Sequence, residues 1–184
     1  PMKICILSLS CVLLLGCAET VIIKPMAKRR LDYPEAAYKK SETNCEYDFD
    51  INDQATLVKT RNCGTRLNYP NMNAAVYITY QEVRNNNLDS LLYDAQKLAY
   101  NHDRKAISIP EKLFINQEHN TYGVFYSING DAASQSHFYL TDSVQNFVTG
   151  SLYFDATPNF DSIYPAVVYL REDIMHLMET LEWK

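Results

Sequence analysis

Residues 121–155 read TYGVFYSINGDAASQSHFYLTDSVQNFVTGSLYFD and contain three segments in which apolar or aromatic residues alternate with others. Successive side chains of a β-strand point to opposite faces, so this alternation is typical of strands. Val148 and Leu152, for example, fall on one face of the last segment. The stretch therefore predicts three strands, which cover residues 121–128, 135–142 and 146–155.

A helix is predicted directly after these strands. Apolar residues from Ile163 to Leu181 recur at spacings of three and four, which places them on one helical stripe. Asp161 or Ser162 is expected to cap the helix, and Pro165 falls in its first turn, where proline is tolerated.

The chain upstream repeats the order of strands followed by a helix. Strand-like segments are separated by asparagine, glycine and proline breakers and cover residues 47–51, 56–59, 66–69 and 74–80. Asn87 is expected to cap a helix that ends near Arg104, and an irregular stretch follows. Strands, helix, strands, helix predict an α+β fold, an antiparallel sheet flanked by helices in a single domain. A Mog1/PsbP-like sandwich has the same order of elements.

The first residues have the features of a bacterial lipoprotein signal. Lys3 precedes an apolar run that ends in Leu14-Leu15-Gly16-Cys17, a sequence that fits a lipobox with the lipid attached at Cys17. The alternatives are a membrane-spanning helix and an ordinary cleaved signal with a chance cysteine. A spanning helix needs about 20 apolar residues, and this run is shorter. We therefore expect a signal peptide over 1–16, a lipidated N-terminus and tether over 17–31, and a globular domain over 32–184.

The two cysteines beyond this signal, Cys45 and Cys63, are expected to form a disulfide in an oxidising compartment. The alternative is a pair of separate buried thiols. No CxxC motif and no Cys/His metal spacing occurs in the sequence, so it predicts neither a redox centre nor a metal site.

Composition and motifs argue against several functional classes. The formal net charge is −5, and no basic stripe of the kind that nucleic acid requires is present. No nucleophile elbow, zinc-protease motif or phosphate-binding glycine loop occurs, and the chain has only five glycines. We therefore expect no enzyme activity and no cofactor.

One loop between two aromatic strands combines small and polar residues. It runs from Gly130 to Gln135, and Asp131, Ser134 and Gln135, with His137 on the next strand, are candidate hydrogen-bonding groups for recognition. A purely structural loop, in which small residues allow close packing, is an equally good interpretation.

A family resemblance rests on several uninterrupted blocks. The longest are Gly130–Gln135, Phe138–Ser143, Val148–Phe154, Pro158–Ile163 and Asp173–Lys184. Shorter ones are Arg30–Pro34, Cys45, Asn62–Cys63, Leu67–Pro70, Asn86–Leu88 and Asp94–Leu98. Together they closely resemble the family of the gliding-motility lipoprotein GldD over nearly the whole chain after Cys17, although residues 107–120 hardly match.

The resemblance implies a membrane-anchored accessory lipoprotein of gliding motility and type IX secretion, with other envelope proteins as partners and no catalytic residues. An envelope glycan-binding module or a cryptic hydrolase is the alternative. Ala18 follows Cys17, without an aspartate that would retain the protein at the inner membrane, and Glu19 is the only acidic residue nearby. We therefore expect a periplasm-facing location at the outer membrane.

Overall fold

A computed structural model describes residues 33–101, 105–155 and 159–184. The predicted signal peptide, Cys17 and the tether lie outside the described residues. The described part forms one antiparallel-sheet domain with two helices, α1 (Leu88–Tyr100) and α2 (Phe160–Thr180). The strands are β1 (Tyr38–Lys40), β2 (Tyr47–Asp48), β3 (Asp50–Asn52), β4 (Thr56–Lys59), β5 (Thr65–Tyr69), β6 (Ala74–Glu82), β7 (Ala106–Ser108), β8 (Glu111–Asn116), β9 (Thr121–Ser127), β10 (Asn129–Gly130), β11 (Ser134–Thr141), β12 (Asn146–Phe154) and β13 (Glu182–Trp183).

Seven strands form the main sheet, in the order β4-β5-β6-β12-β11-β9-β8, and every neighbouring pair is antiparallel. The predicted α+β class, with an antiparallel sheet and two helices, is therefore confirmed. Among the described residues, no helix has the length and apolar content needed to cross a membrane.

The face of the sheet covered by α2, here called the α2 face, carries the main hydrophobic core. Phe138, Leu140 and Leu152 pack there in one cluster with Leu170 and Ile174 of α2. The Phe138 ring lies so close to its cross-strand partner Gly150 that a Cβ on Gly150 would come within 2.1 Å of the ring. The absence of a side chain at position 150 therefore makes room for the Phe138 ring.

A segment before the main sheet completes this core. Tyr47 and Phe49 are fully buried beside α2, and β2 pairs with β13 at the end of the chain. A disulfide joins Cys45 to Cys63, with 5.5 Å between their Cα atoms, so it ties the start of β2 to the turn before β5. This is the predicted pairing, and it closes a loop with a sequence separation of 18 residues.

The opposite face, the α1 face, is only partly covered. Ala95 and Ala99 of α1 are buried, and Tyr100 packs edge-on against Tyr126 of β9. The small alanine side chains let the helix lie close to the sheet, but α1 has only 13 residues. In the described part of the chain, the sheet surface on either side of α1 is left exposed.

The structure corrects four expectations. Asn87 precedes α1 without capping it, because its Oδ1 atom accepts a bond from the Arg84 N–H instead. The cap of α2 is Asn159, so Pro165 lies beyond the first turn. The first predicted strand, residues 47–51, is divided at Phe49 into β2 and β3. The stretch expected to be irregular contains β7 and leads into β8, an edge strand that the sequence did not predict; β1, β10 and β13 were also missed.

Candidate functional site

The predicted recognition loop is mostly interior. Ser134, Gln135 and His137 are each at most 1% exposed. Ser134 Oγ donates to the Ser136 and Leu152 carbonyls, Gln135 Nε2 donates to the Gly130 and Ala132 carbonyls, and His137 Nδ1 lies 2.7 Å from Ser151 Oγ. These contacts favour the packing interpretation of the loop, because a partner at the surface cannot reach the three side chains.

Asp131 is the exposed member of this set, and it has a local partner. Its Oδ1 atom accepts a bond of 2.8 Å from the Phe160 N–H at the first turn of α2. A carboxylate at this position satisfies a free backbone donor and interacts favourably with the helix dipole. Asp131 is therefore exposed at the start of α2, whereas the other three predicted side chains are buried.

Arg171 of α2 donates hydrogen bonds to residues in and next to the same loop. Its guanidinium donates to the Ile128 and Gln135 carbonyls, at 3.1 and 2.9 Å, and to the side chains of Asn129 and Ser136. Burial lowers the pKa of Arg171 from its usual value. Sequence reasoning missed this residue because nothing in a helical stripe distinguishes an arginine that turns inward from one that is solvated.

A buried carboxylate, Asp173, lies on the neighbouring part of α2. It accepts bonds from the Tyr69 hydroxyl and from Asn52 Nδ2, the latter at 3.1 Å. Burial raises the pKa of Asp173 although these donors oppose the shift. Because the residue is 5% exposed and lies between β3, β5 and α2, its contacts join the N-terminal segment to the helix.

Of the described histidines, His176 belongs to the surroundings of Asp173, because its stacking partner Tyr38 is hydrogen-bonded to that carboxylate. His176 stacks on Tyr38 and lies 3.5 Å from an Asp50 oxygen, whereas His119 lies 3.9 Å from Glu182. His102 lies outside the described residues. In the described ranges no group of three or more histidine, cysteine or acidic side chains could hold a metal ion.

An exposed apolar surface lies beside α1 at one edge of the sheet. Leu113 and Ile115 of β8 are 70% and 58% exposed, and Tyr122, opposite Ile115 on β9, is 37% exposed. We call these three residues the β8–β9 surface. The outer side of β8 pairs with no other strand in the described part of the chain, so its backbone edge is open as well. The sequence did not predict this surface, because it did not predict β8.

A cleft of about 810 Å³ lies on the other side of α1, over β5, β6 and β12. Its lining includes Arg66, Asn68, Ala75, Tyr77, Tyr153 and Asp155. The Tyr77 and Tyr153 rings meet edge to face at 5.7 Å, and the Arg66 guanidinium lies 5.0 Å from the centre of the Tyr77 ring. We call this site the tyrosine cleft.

Comparison with known proteins identifies the family. No curated protein matches the chain. The family model described as "Gliding motility lipoprotein GldD" matches residues 18–183, which is most of the chain. Membership implies an accessory lipoprotein of gliding motility that is anchored to a membrane of the cell envelope. The chain therefore belongs to the GldD family of gliding motility lipoproteins.

Proposed function

We propose that this protein is a lipid-anchored accessory component of the gliding motility and type IX secretion machinery, and that it works by binding other proteins of that machinery. In this proposal Cys17 carries the lipid, residues 17–31 form the tether, and residues 32–184 form the interaction domain. The anchor holds the domain at the periplasmic side of the outer membrane. Family membership supports the motility role, and the β8–β9 surface supports the mode of action.

The β8–β9 surface is the observation that carries the protein-binding proposal. Leu113 and Ile115 lie on the same face of an edge strand, and their neighbour on β9 is an exposed tyrosine. A contiguous apolar surface on a domain is typical of a protein interface, and aromatic residues are enriched there. The open edge of β8 adds backbone donors and acceptors that a strand of a partner can pair with.

Site-specific crosslinking in cells tests this mode of action. A photo-reactive amino acid placed at position 113 is expected to form adducts with a motility or secretion component after illumination. The matched control is position 58, where Val58 is 41% exposed on β4, the opposite edge strand of the same sheet. Adducts that form equally at both positions, or that contain only unrelated proteins, would contradict the proposal.

The anchor is tested separately. In this proposal the acyl chains on Cys17 hold the protein at the membrane, and stable attachment takes more than one chain. A Cys17→Ser variant has no site for these chains, so we expect it to leave the membrane fraction and to lose gliding and secretion. Protease added to intact cells is expected to spare the wild-type protein if it faces the periplasm. A soluble Cys17→Ser variant with full function would refute the role of the anchor, and cleavage on intact cells would refute the orientation.

The alternative site, a glycan-binding or hydrolytic centre at Asp131, Ser134, Gln135 and His137, gains no support. Three of these side chains are buried and bonded within the domain, and the fourth accepts a bond from the Phe160 N–H.

A further inference from the structure

The floor of the tyrosine cleft is formed by a small residue on its middle strand, β6. Ala75, which is 6% exposed, lies between Asn68 of β5 and Tyr153 of β12 in the strand register and forms the floor. Tyr77 follows Ala75 on the same face and packs against Tyr153. A small residue next to the Tyr77 and Tyr153 side chains leaves room for a ligand that contacts their rings.

Two polar groups of the cleft have no hydrogen-bonding or ionic partner among the described residues. Asn68 Oδ1 is buried, and none of the described residues donates a hydrogen bond to it. Arg66 lies over the Tyr77 ring, and no carboxylate in the described part of the chain pairs with its guanidinium. A ligand that fits the cleft therefore supplies a donor for Asn68 and an acceptor, preferably an anion, for Arg66.

The position of the cleft within the sheet excludes recognition by strand addition. It lies over β5, β6 and β12, and the backbone of the middle strand, β6, is paired on both sides. A peptide that binds by strand addition needs an open edge. Recognition in the tyrosine cleft therefore depends on ring faces and side-chain polar groups.

We propose that the tyrosine cleft binds a saccharide that carries a carboxylate. Sugar rings combine apolar C–H faces, which pack on Tyr77 and Tyr153, with hydroxyl groups that donate to Asn68 and to the exposed Asp155. The carboxylate pairs with Arg66, whose planar fork matches its geometry. This binding is independent of the proposed protein contacts, because the cleft and the β8–β9 surface lie on different strands.

Calorimetric titration of the full-length lipidated protein in detergent tests this assignment. The probes are an oligogalacturonate and its carboxyl-reduced counterpart, in which neutral hydroxymethyl groups replace the carboxylates. We expect the acidic probe to bind at least about 10-fold more tightly, because the charge-assisted bond to Arg66 is lost with the neutral one. Binding of neither probe, or equal binding of both, would overturn the proposal.

Variants locate the binding. Arg66→Gln is expected to remove the preference for the acidic probe, and Tyr153→Ala to weaken both probes. The controls are Arg61→Gln, the same charge change at an exposed residue outside the cleft, and Tyr93→Ala, a loss of an exposed tyrosine from α1. Equal losses in the controls would overturn the site. An acidic peptide that bound as tightly, with the same sensitivity to Arg66→Gln, would overturn the saccharide class.

Discussion

The two faces of the sheet differ in how completely their helices cover them. The α2 face is closed by a helix of 21 residues that contributes seven buried side chains, including the acidic Asp173. The α1 face is covered by a helix of 13 residues with two buried alanines, and it leaves the β8–β9 surface and the tyrosine cleft exposed on either side. The larger buried core therefore lies on the α2 face, and the two surfaces to which we assign binding lie on the α1 face.

This difference explains why the polar groups that attract attention in the sequence are not the accessible ones. Most buried polar side chains are hydrogen-bonded within the protein. Ser134 Oγ and Gln135 Nε2 follow this tendency, although Gln135 Oε1 has no hydrogen-bond partner among the described residues. The exposed apolar side chains of β8, in contrast, are not packed in the core. We therefore assign the interaction role to the face that is less well packed.

The largest difference between the faces is expected in the free energy of unfolding when one leucine in each helix is replaced by alanine. Leu170 of α2 is fully buried, whereas Leu98 of α1 is 40% exposed. Leu170→Ala should lower the free energy of unfolding by about 3 kcal/mol, because it removes buried methyl groups and leaves a cavity. Leu98→Ala should cost less than about 1 kcal/mol. Denaturant unfolding of both variants measures the two effects, and equal losses would show that the faces are equally packed.

The fold could be predicted from the sequence where a strand has clearly alternating apolar residues or where a helix has a long apolar stripe. β4 was predicted at its observed bounds, and β5, β9, β11 and β12 within one residue at each end, because their apolar residues alternate between clear breakers. β8 was missed because its exposed Leu113 and Ile115 do not distinguish a strand from a loop. β13 and β1 are too short to show a pattern, and their pairing depends on distant partners.

A second comparison uses the two arginines on opposite faces. Arg171 donates to two backbone carbonyls and two side chains within residues 128–136, whereas Arg66 is exposed. Arg171→Met should lower the free energy of unfolding by about 2 kcal/mol, because the buried acceptors lose their donor. Arg66→Met should change it by less than about 0.5 kcal/mol. Thermal unfolding of the two variants tests this, and a neutral Arg171→Met would show that water replaces the guanidinium.

The candidate site was less predictable from the sequence than the fold, because the exposure of a side chain depends on long-range packing. A single sequence shows that Ser134, Gln135 and His137 are polar, but it does not show that Arg171, 34 residues beyond His137, turns its charge towards the loop. The tyrosine cleft likewise joins residues from three strands that meet only in the folded sheet. Side-chain identity predicts chemistry, whereas exposure is decided by long-range packing.

A smaller, pH-dependent effect distinguishes two aspartates. Burial raises the pKa of Asp173 above 3.8, whereas hydrogen bonds from the 144–146 segment lower that of Asp142, despite partial burial. As the pH rises above 3.8, the unfolded chain releases the proton of residue 173 before the folded protein does. Wild-type stability relative to Asp173→Asn should therefore fall with rising pH until the folded carboxyl has also ionised.

Asp142 provides the opposite control. Its folded pKa lies below 3.8, so its contribution is present above that pH and is lost as the pH falls through the folded value. Stability relative to Asp142→Asn should therefore rise with pH over the acid range. Urea unfolding from about pH 2 to pH 7 compares the two slopes, and slopes of the same sign would contradict the assigned environments.

The smallest effect on stability is expected at the β8–β9 surface. Leu113→Ser and Ile115→Ser replace exposed side chains, so each should change the free energy of unfolding by less than about 0.5 kcal/mol, as should the control Val58→Ser on the opposite edge. If the α1 face serves as an interface, the double variant Leu113→Ser, Ile115→Ser should lose gliding at unchanged protein level, whereas Val58→Ser should retain it. Because stability is nearly constant across these variants, full gliding by the double variant would exclude this surface as the interface.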